Sequence, residues 1–143
     1  MYDFGQAEDG LLYIAMEFLV GMDLSVVVQR GEPMNLGRVW KILVQCCRSL
    51  AEAHRLGLVH RDLKPENIFL VQREEGGESV KVLDFGLAKS DPTQMGGDFL
   101  KLTRDGDFVG TPRYASPEQL KGRPLTNASD IYGVGMIMWE MLT

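Results

Sequence analysis

Residues 60–67 read HRDLKPEN, and seventeen residues beyond Asn67 the chain reads DFG at Asp84, Phe85 and Gly86. Two short runs suited to strands lie between these stretches, Asn67 to Val71 and Val80 to Leu83, and the polar segment Gln72 to Ser79 with Gly76 and Gly77 separates them. The pattern predicts a hairpin with a solvated loop, which puts both stretches at strand ends. If the hairpin closes, Asn67 and Asp84 become two oxygen-bearing metal ligands near a separate carboxylate, Asp62, and a cation, Lys64. Taken singly, each of these residues reads most simply as a solvated loop charge; their joint spacing carries the weight.

Such a set suits phosphoryl transfer. That reaction needs metal neutralisation of phosphate oxygens, a group that orients the attacking hydroxyl, and a positive charge over the transferred group. Upstream, Leu36 to His54 places Leu36, Val39, Ile42, Leu43, Cys46, Cys47, Leu50 and Ala53 at steps of three and four, the apolar face of a long helix that Gly57 stops. Further upstream, LLYIAMEFL from Leu11 to Leu19 follows a turn-like segment and pairs with Met1 to Phe4 in a hairpin, its second strand ended by Gly21. Downstream, Ala88 to Phe108 lacks periodicity and reads as a long surface loop of the functional kind. Ser129 to Leu142 carries Ile131, Val134, Ile137, Met138 and Met141, a helix apolar around most of its circumference with Ser129 as its N-cap.

HRDLKPEN, DFG and the segment GTPRYASPE from Gly110 to Glu118 together resemble the eukaryotic-type serine/threonine protein kinase catalytic domain. A given set of four residues recurs by chance in roughly one in 10^5 windows, and here three motifs stand in the kinase order. The resemblance covers essentially the whole chain and implies an α+β, protein-kinase-like bilobal fold. Residues 1–20 would supply small-lobe strands and the hinge, and residues 21–143 the first half of the mainly helical large lobe. It further implies ATP and Mg2+ as cofactors. Asp62 would orient the substrate hydroxyl or accept its proton, Lys64 would steady the γ-phosphate, and Asn67 and Asp84 would hold magnesium. His60, Phe85 and Asp130 would support them. Lys64 and Thr111 resemble the serine/threonine branch, so the acceptor would be a protein serine or threonine. In the nucleotide pocket, Met16 would be the gatekeeper, main-chain groups of Glu17 and Leu19 would face adenine, Asp23 would reach the ribose, and Phe69 would lie beneath the ring. Met16 and Phe69 also read as plain strand core. Arg61 resembles an arginine that grips a phosphate on the activation segment; Thr103 is the leading phosphosite ahead of Thr93 and Ser90, and Asp107 is a fixed negative charge that could stand in for one.

Bulk composition agrees with one domain or a piece of one. The 143 residues are 45% hydrophobic, enough for one core and too few for two ordinary domains. Twenty acidic against fifteen basic residues give a net charge of -5, and no basic face for nucleic acid is evident. The adjacent Cys46 and Cys47 read as small core residues in a reducing compartment. Ile131 to Trp139 is too short to span a bilayer, so the expectation is a cytoplasmic chain or the cytoplasmic part of a membrane-anchored protein. Its oligomeric state is open. Gly133 and Gly135 read as close helix packing, and His54 as an ordinary helix-face residue.

The chain also departs from a whole kinase domain. The glycine-rich loop, strand lysine and partner glutamate of the family would precede Met1, and the helices expected to cover the last one would follow Thr143. Glu118 lacks its expected arginine, and Ser116 stands where alanine is usual. The expectation is therefore poor solubility and negligible phosphotransfer for the 143 residues alone, with an exposed strand edge and helix face. Two alternatives to the enzyme stay open: a kinase-derived binding or regulatory module, and a small-molecule phosphotransferase.

Overall fold

A computed structural model describes residues 3–7, 9–31, 34–73, 76–85 and 112–143. The segment expected as a long loop, with Ser90, Thr93, Thr103 and Asp107, lies outside the described residues, as do Gly86 and Thr111.

The first hairpin is formed by β1 (Asp3–Gln6) and β2 (Leu12–Ala15), antiparallel, with Phe4 opposite Ile14. Its β-rich sequence and the Gly10 turn explain the pairing, although Leu12 and Ile14 stay largely exposed. Gly21 does not end this hairpin. It opens β3 (Gly21–Asp23), which joins β4 (Ile68–Gln72) and β5 (Glu78–Val82) in an antiparallel sheet of order β3-β4-β5. Glycine is required here for close approach, because a Cβ at position 21 would sit 2.0 Å from the Leu70 carbonyl oxygen of the neighbouring strand. The expected second hairpin is β4–β5, shifted by a residue or two, with Leu70 opposite Val80.

A five-residue helix that the periodicity did not signal, α1 (Leu24–Val28), follows β3 directly. Its length is below what an amphipathic pattern can reveal. α2 (Leu36–Arg55) matches the expected long helix. The Asn35 side chain accepts from the Arg38 N–H at 2.9 Å and caps its start. At its end, the N–H groups of Gly57 and Leu58 reach back to the carbonyls of His54 and Ala53 at 3.0 Å each, with Gly57 at φ 75°. Val39, Ile42, Cys46, Leu50 and Ala53 are buried on one face, whereas Leu36 and Cys47 are exposed. They sit at the margins of the stripe, beyond the reach of the sheet and the last helix. Burial pushes the Cys46 thiol up to about 12, with the charge of Cys47 adding to it.

The last two helices are α3 (Pro117–Leu120) and α4 (Asn127–Leu142). The N-cap of α4 is Thr126 rather than Ser129. The Thr126 hydroxyl accepts from the Ala128 N–H at 3.3 Å, while the Thr126 N–H donates to Ser129 Oγ at 3.2 Å. Ser129 is thus the third helical residue of a capping box, and two hydroxyls three apart made either a possible cap. The core joins Leu24, Ile42, Leu50, Ile68, Leu70, Ile137 and Met141, each 2% exposed or less, where α2 and α4 meet the sheet. Opposite this, Ile131, Tyr132, Met138 and Trp139 of α4 are exposed, as expected for a helix apolar on both faces.

Candidate active site

The antiparallel pairing of β4 and β5 brings the end of one expected motif against the start of the other. The Leu83 N–H donates to the Asn67 carbonyl at 2.8 Å, so Asp84 leaves the sheet beside Asn67. Asp84 is exposed and takes φ 55°, a left-handed conformation that a short polar side chain tolerates better than most. A 3-10 turn, Pro65–Asn67, feeds the loop of residues 60–64 into β4.

His60 binds the two stretches together. It is 0% exposed. Its Nε2 lies 2.8 Å from the Leu83 carbonyl, which can only accept, so Nε2 carries the proton. Nδ1 is then the acceptor for the Asp62 N–H, at 3.3 Å. The neutral imidazole thus holds the residue before Asp84 with one nitrogen and Asp62 with the other, and the Phe85 ring lies 4.9 Å away. Asn67 Nδ2 donates to the Asp62 carbonyl at 2.7 Å. Lys64 Nζ lies 3.2 Å from Asp62 Oδ2. Four of the sequence-expected residues, Asp62, Lys64, Asn67 and Asp84, are therefore gathered in one place.

Asp130, near the start of α4, anchors this loop from behind. It is 2% exposed and accepts from the N–H of His60 at 2.9 Å, from the N–H of Arg61 at 3.0 Å, and from His54 Nε2 at 2.7 Å. Those bonds hold Arg61 at φ 72°, a conformation that costs energy for a residue with a Cβ and persists only when its surroundings insist on it. Gly133, one turn further along α4, lets the helix approach the loop; a Cβ there would meet Leu63 Cβ at 3.2 Å and the Leu63 carbonyl oxygen at 3.3 Å. Gly135 has open space instead. The helical spacing marks His54 as an ordinary helix-face residue; in the fold it is part of this anchor. No local pattern could reveal that, since its partner is 76 residues away.

Magnesium binding can be tested on the donor set. Asn67 donates an amide N–H to the Asp62 carbonyl, and its Oδ1 accepts no hydrogen bond among the described residues. The Asp84 carboxylate accepts no hydrogen bond among the described residues. One amide oxygen and one carboxylate are too few for a closed protein cage, and among the described residues no group of three or more His, Cys, Asp or Glu offers one. They fit magnesium, which keeps waters and substrate phosphates as its other ligands.

The expected nucleotide-pocket residues are placed less uniformly. Phe69 is half-buried on β4 directly opposite Asp23 of β3. Asp23 caps α1, its Oδ1 accepting from the Val26 N–H at 3.2 Å and from the Ser25 hydroxyl, which leaves Oδ2 for a ligand. Met16 is 63% exposed and lies just past the end of β2, so it is not strand core here. Glu17 pairs through its side chain with Lys81 of β5, the residue opposite Phe69, and Leu19 is half-buried.

The segment 112–120 is tied to α4 at two places. After a 3-10 turn at Pro112–Tyr114, Ser116 caps α3 in a capping box with Gln119. Tyr114 donates to Glu140 of α4, and Arg113 Nη1 pairs with the same carboxylate at 2.9 Å; burial first, then that bond, pushes the Tyr114 hydroxyl well above its usual range. Glu118 accepts from the Ser129 hydroxyl, and this bond holds its carboxyl below the usual carboxylate range.

Comparison with known proteins agrees with this architecture. The family model described as "Protein kinase domain" matches residues 1–143. The chain is 50% identical over 141 residues to serine/threonine-protein kinase pkn3 of Myxococcus xanthus, covering 99% of this chain and 25% of that protein. It is 39% identical over 149 residues to serine/threonine-protein kinase A of a Synechocystis strain, covering 99% of this chain and 27% of that protein. It thus spans about a quarter of the length of these curated relatives. Among solved structures, the Mycobacterium tuberculosis PknI kinase domain superposes with a TM-score of 0.70 at 23% identity, over 99% of this chain and 48% of that one. The superposition speaks for the fold, and the motif order together with the family match establishes descent: the chain belongs to the protein kinase domain family.

Proposed function

We propose that this chain is part of the catalytic domain of an enzyme that transfers the terminal phosphoryl group of ATP to serine or threonine hydroxyls of proteins. The observation that carries the reading is the His60 imidazole, bonded at once to the Asp62 N–H and to the carbonyl that precedes Asp84. A binding module has no chemical need for that link.

Residues 1–20 contribute strands and hinge to a small lobe, and residues 21–143 form the first half of the large lobe. Met16, the main chain of Glu17 and Leu19, and the side chains of Asp23 and Phe69 line the nucleotide site. Asn67 and Asp84 hold magnesium, which when bound neutralises phosphate oxygens. Asp62 orients the acceptor hydroxyl and takes its proton; its neighbour Lys64, 3.2 Å away, balances its charge and faces the transferred group. Thr111 completes the acceptor side. The work is positioning and electrostatics, which suits a loop whose peptide groups are held on several sides. The alcohol preference follows Lys64 and Thr111, and a cytoplasmic location is the one in which ATP is at hand. Among the described residues no helix is long and apolar enough to cross a membrane. The 143 residues by themselves carry no glycine-rich loop to align the phosphates, so alone they are expected to be inactive.

The test is phosphate transfer from labelled ATP to a protein acceptor by the protein that carries this chain at its natural length. Asp62→Asn is expected to lower turnover by about 10^2-fold or more, with label on serine and threonine. Unchanged turnover, or label on tyrosine alone, overturns the reading.

A further inference from the structure

The side-chain amide of Gln119 is a bridge between two segments that the phosphotransfer reading assigns to different tasks. Its Oε1 accepts from the N–H of Ser116, a residue 0% exposed at the start of α3. Its Nε2 donates to the carbonyl of Arg61 at 2.6 Å, 58 residues away. The Arg61 carbonyl and the Asp62 N–H belong to one peptide group. The N–H end of that group is held by His60 Nδ1 and the carbonyl end by Gln119. Arg61 itself stands at φ 72°, so this peptide group belongs to a backbone that would relax to a commoner conformation if released.

We propose that Gln119 is a positioning residue for phosphotransfer, setting the peptide plane from which the Asp62 carboxylate projects and coupling it to the segment 112–118. The inference rests on the phosphotransfer reading and adds to it a route by which order on the acceptor side reaches Asp62. Gln119 is itself well fixed. Its N–H donates to Ser116 Oγ at 3.4 Å, and Glu118 beside it is bound to Ser129 of α4. A displaced Ser116 therefore carries the amide of Gln119 with it, and the hydrogen bond on the Arg61 carbonyl turns or breaks.

A glutamine at this place also reads as no more than the third residue of a capping box, and the two roles are separable. Gln119→Glu keeps an acceptor for the Ser116 N–H and removes the donor to Arg61, setting a carboxylate oxygen against a carbonyl. Measured in the protein at its natural length, beside wild type and Asp62→Asn, Gln119→Glu is expected to lower kcat about ten- to a hundredfold, with KM for ATP within about twofold. Hydrogen exchange at the Asp62 amide is expected to accelerate, with little change in the thermal midpoint. Gln119→Leu, which loses both bonds, is expected to fall at least as far in kcat and to lower the midpoint as well. An active wild type with Gln119→Glu equal to it in kcat and in exchange at Asp62 overturns the proposal and leaves Gln119 a helix cap. Equal rates for wild type and Asp62→Asn overturn instead the phosphotransfer reading, and this inference with it.

Discussion

Replacing Asp130 by alanine tests the anchor on which the loop around Asp62 depends. The carboxylate is 2% exposed and serves three donors: the main-chain N–H groups of His60 and Arg61 and the Nε2 of His54. Truncation leaves those donors facing a cavity. A buried donor without an acceptor costs about 1–3 kcal/mol, so two amides and an imidazole sum to a loss of about 4 kcal/mol, with the half-buried Arg61 at the low end. That is a large part of the roughly 5–15 kcal/mol by which a domain is stable. At a urea dependence of about 2 kcal/mol per molar, the unfolding midpoint is expected to fall by about 2 M. Asp130→Asn keeps one acceptor oxygen but turns amide hydrogens toward donors, so about half the loss is expected. Equilibrium urea unfolding gives the magnitude, and amide exchange at His60 and Arg61 gives the location. A loss below about 1 kcal/mol for Asp130→Ala, with both amides still protected, would refute the reasoning.

Gly135→Ala, at a site with open space in α4, is expected to raise stability by about 0.5–1 kcal/mol through helix propensity. Gly133→Ala should forfeit that gain because the new methyl crowds Leu63, and thermal unfolding of the two variants side by side decides it. The depressed pKa of Glu118 means its bond to Ser129 contributes stability that is present above the ordinary 4.5 and is lost as pH falls through the folded value. Ser129→Ala is therefore expected to flatten the dependence of stability on pH below 4.5, read by denaturation across the acid range; an unaltered slope would deny the bond that role.

Local sequence determined the family and the long helices, and it singled out Asp62, Lys64, Asn67 and Asp84 as one group. Spacing does this well where a residue's partners are near in sequence, as in the stripe of Val39, Ile42, Cys46, Leu50 and Ala53, the glycine stop at 57, and the hairpin that sets Asn67 beside Asp84. Where two local signals competed, the fold chose between them. Thr126 and Ser129 were both fit to cap α4, and Gly21 could end one strand or begin another until the carbonyl of Leu70 lay against it.

Only the tertiary structure decided how the loop is held. The partners His54 with Asp130, Gln119 with Arg61, Arg38 with Glu78 and Glu17 with Lys81 are separated by 76, 58, 40 and 64 residues. No periodicity or propensity reaches that far, because each bond joins segments that meet only once the chain has packed. A hydrogen bond is satisfied by an atom a few ångströms away whatever its place in the chain, and this is why motifs and helices could be read from the sequence while the bonds that join them could not.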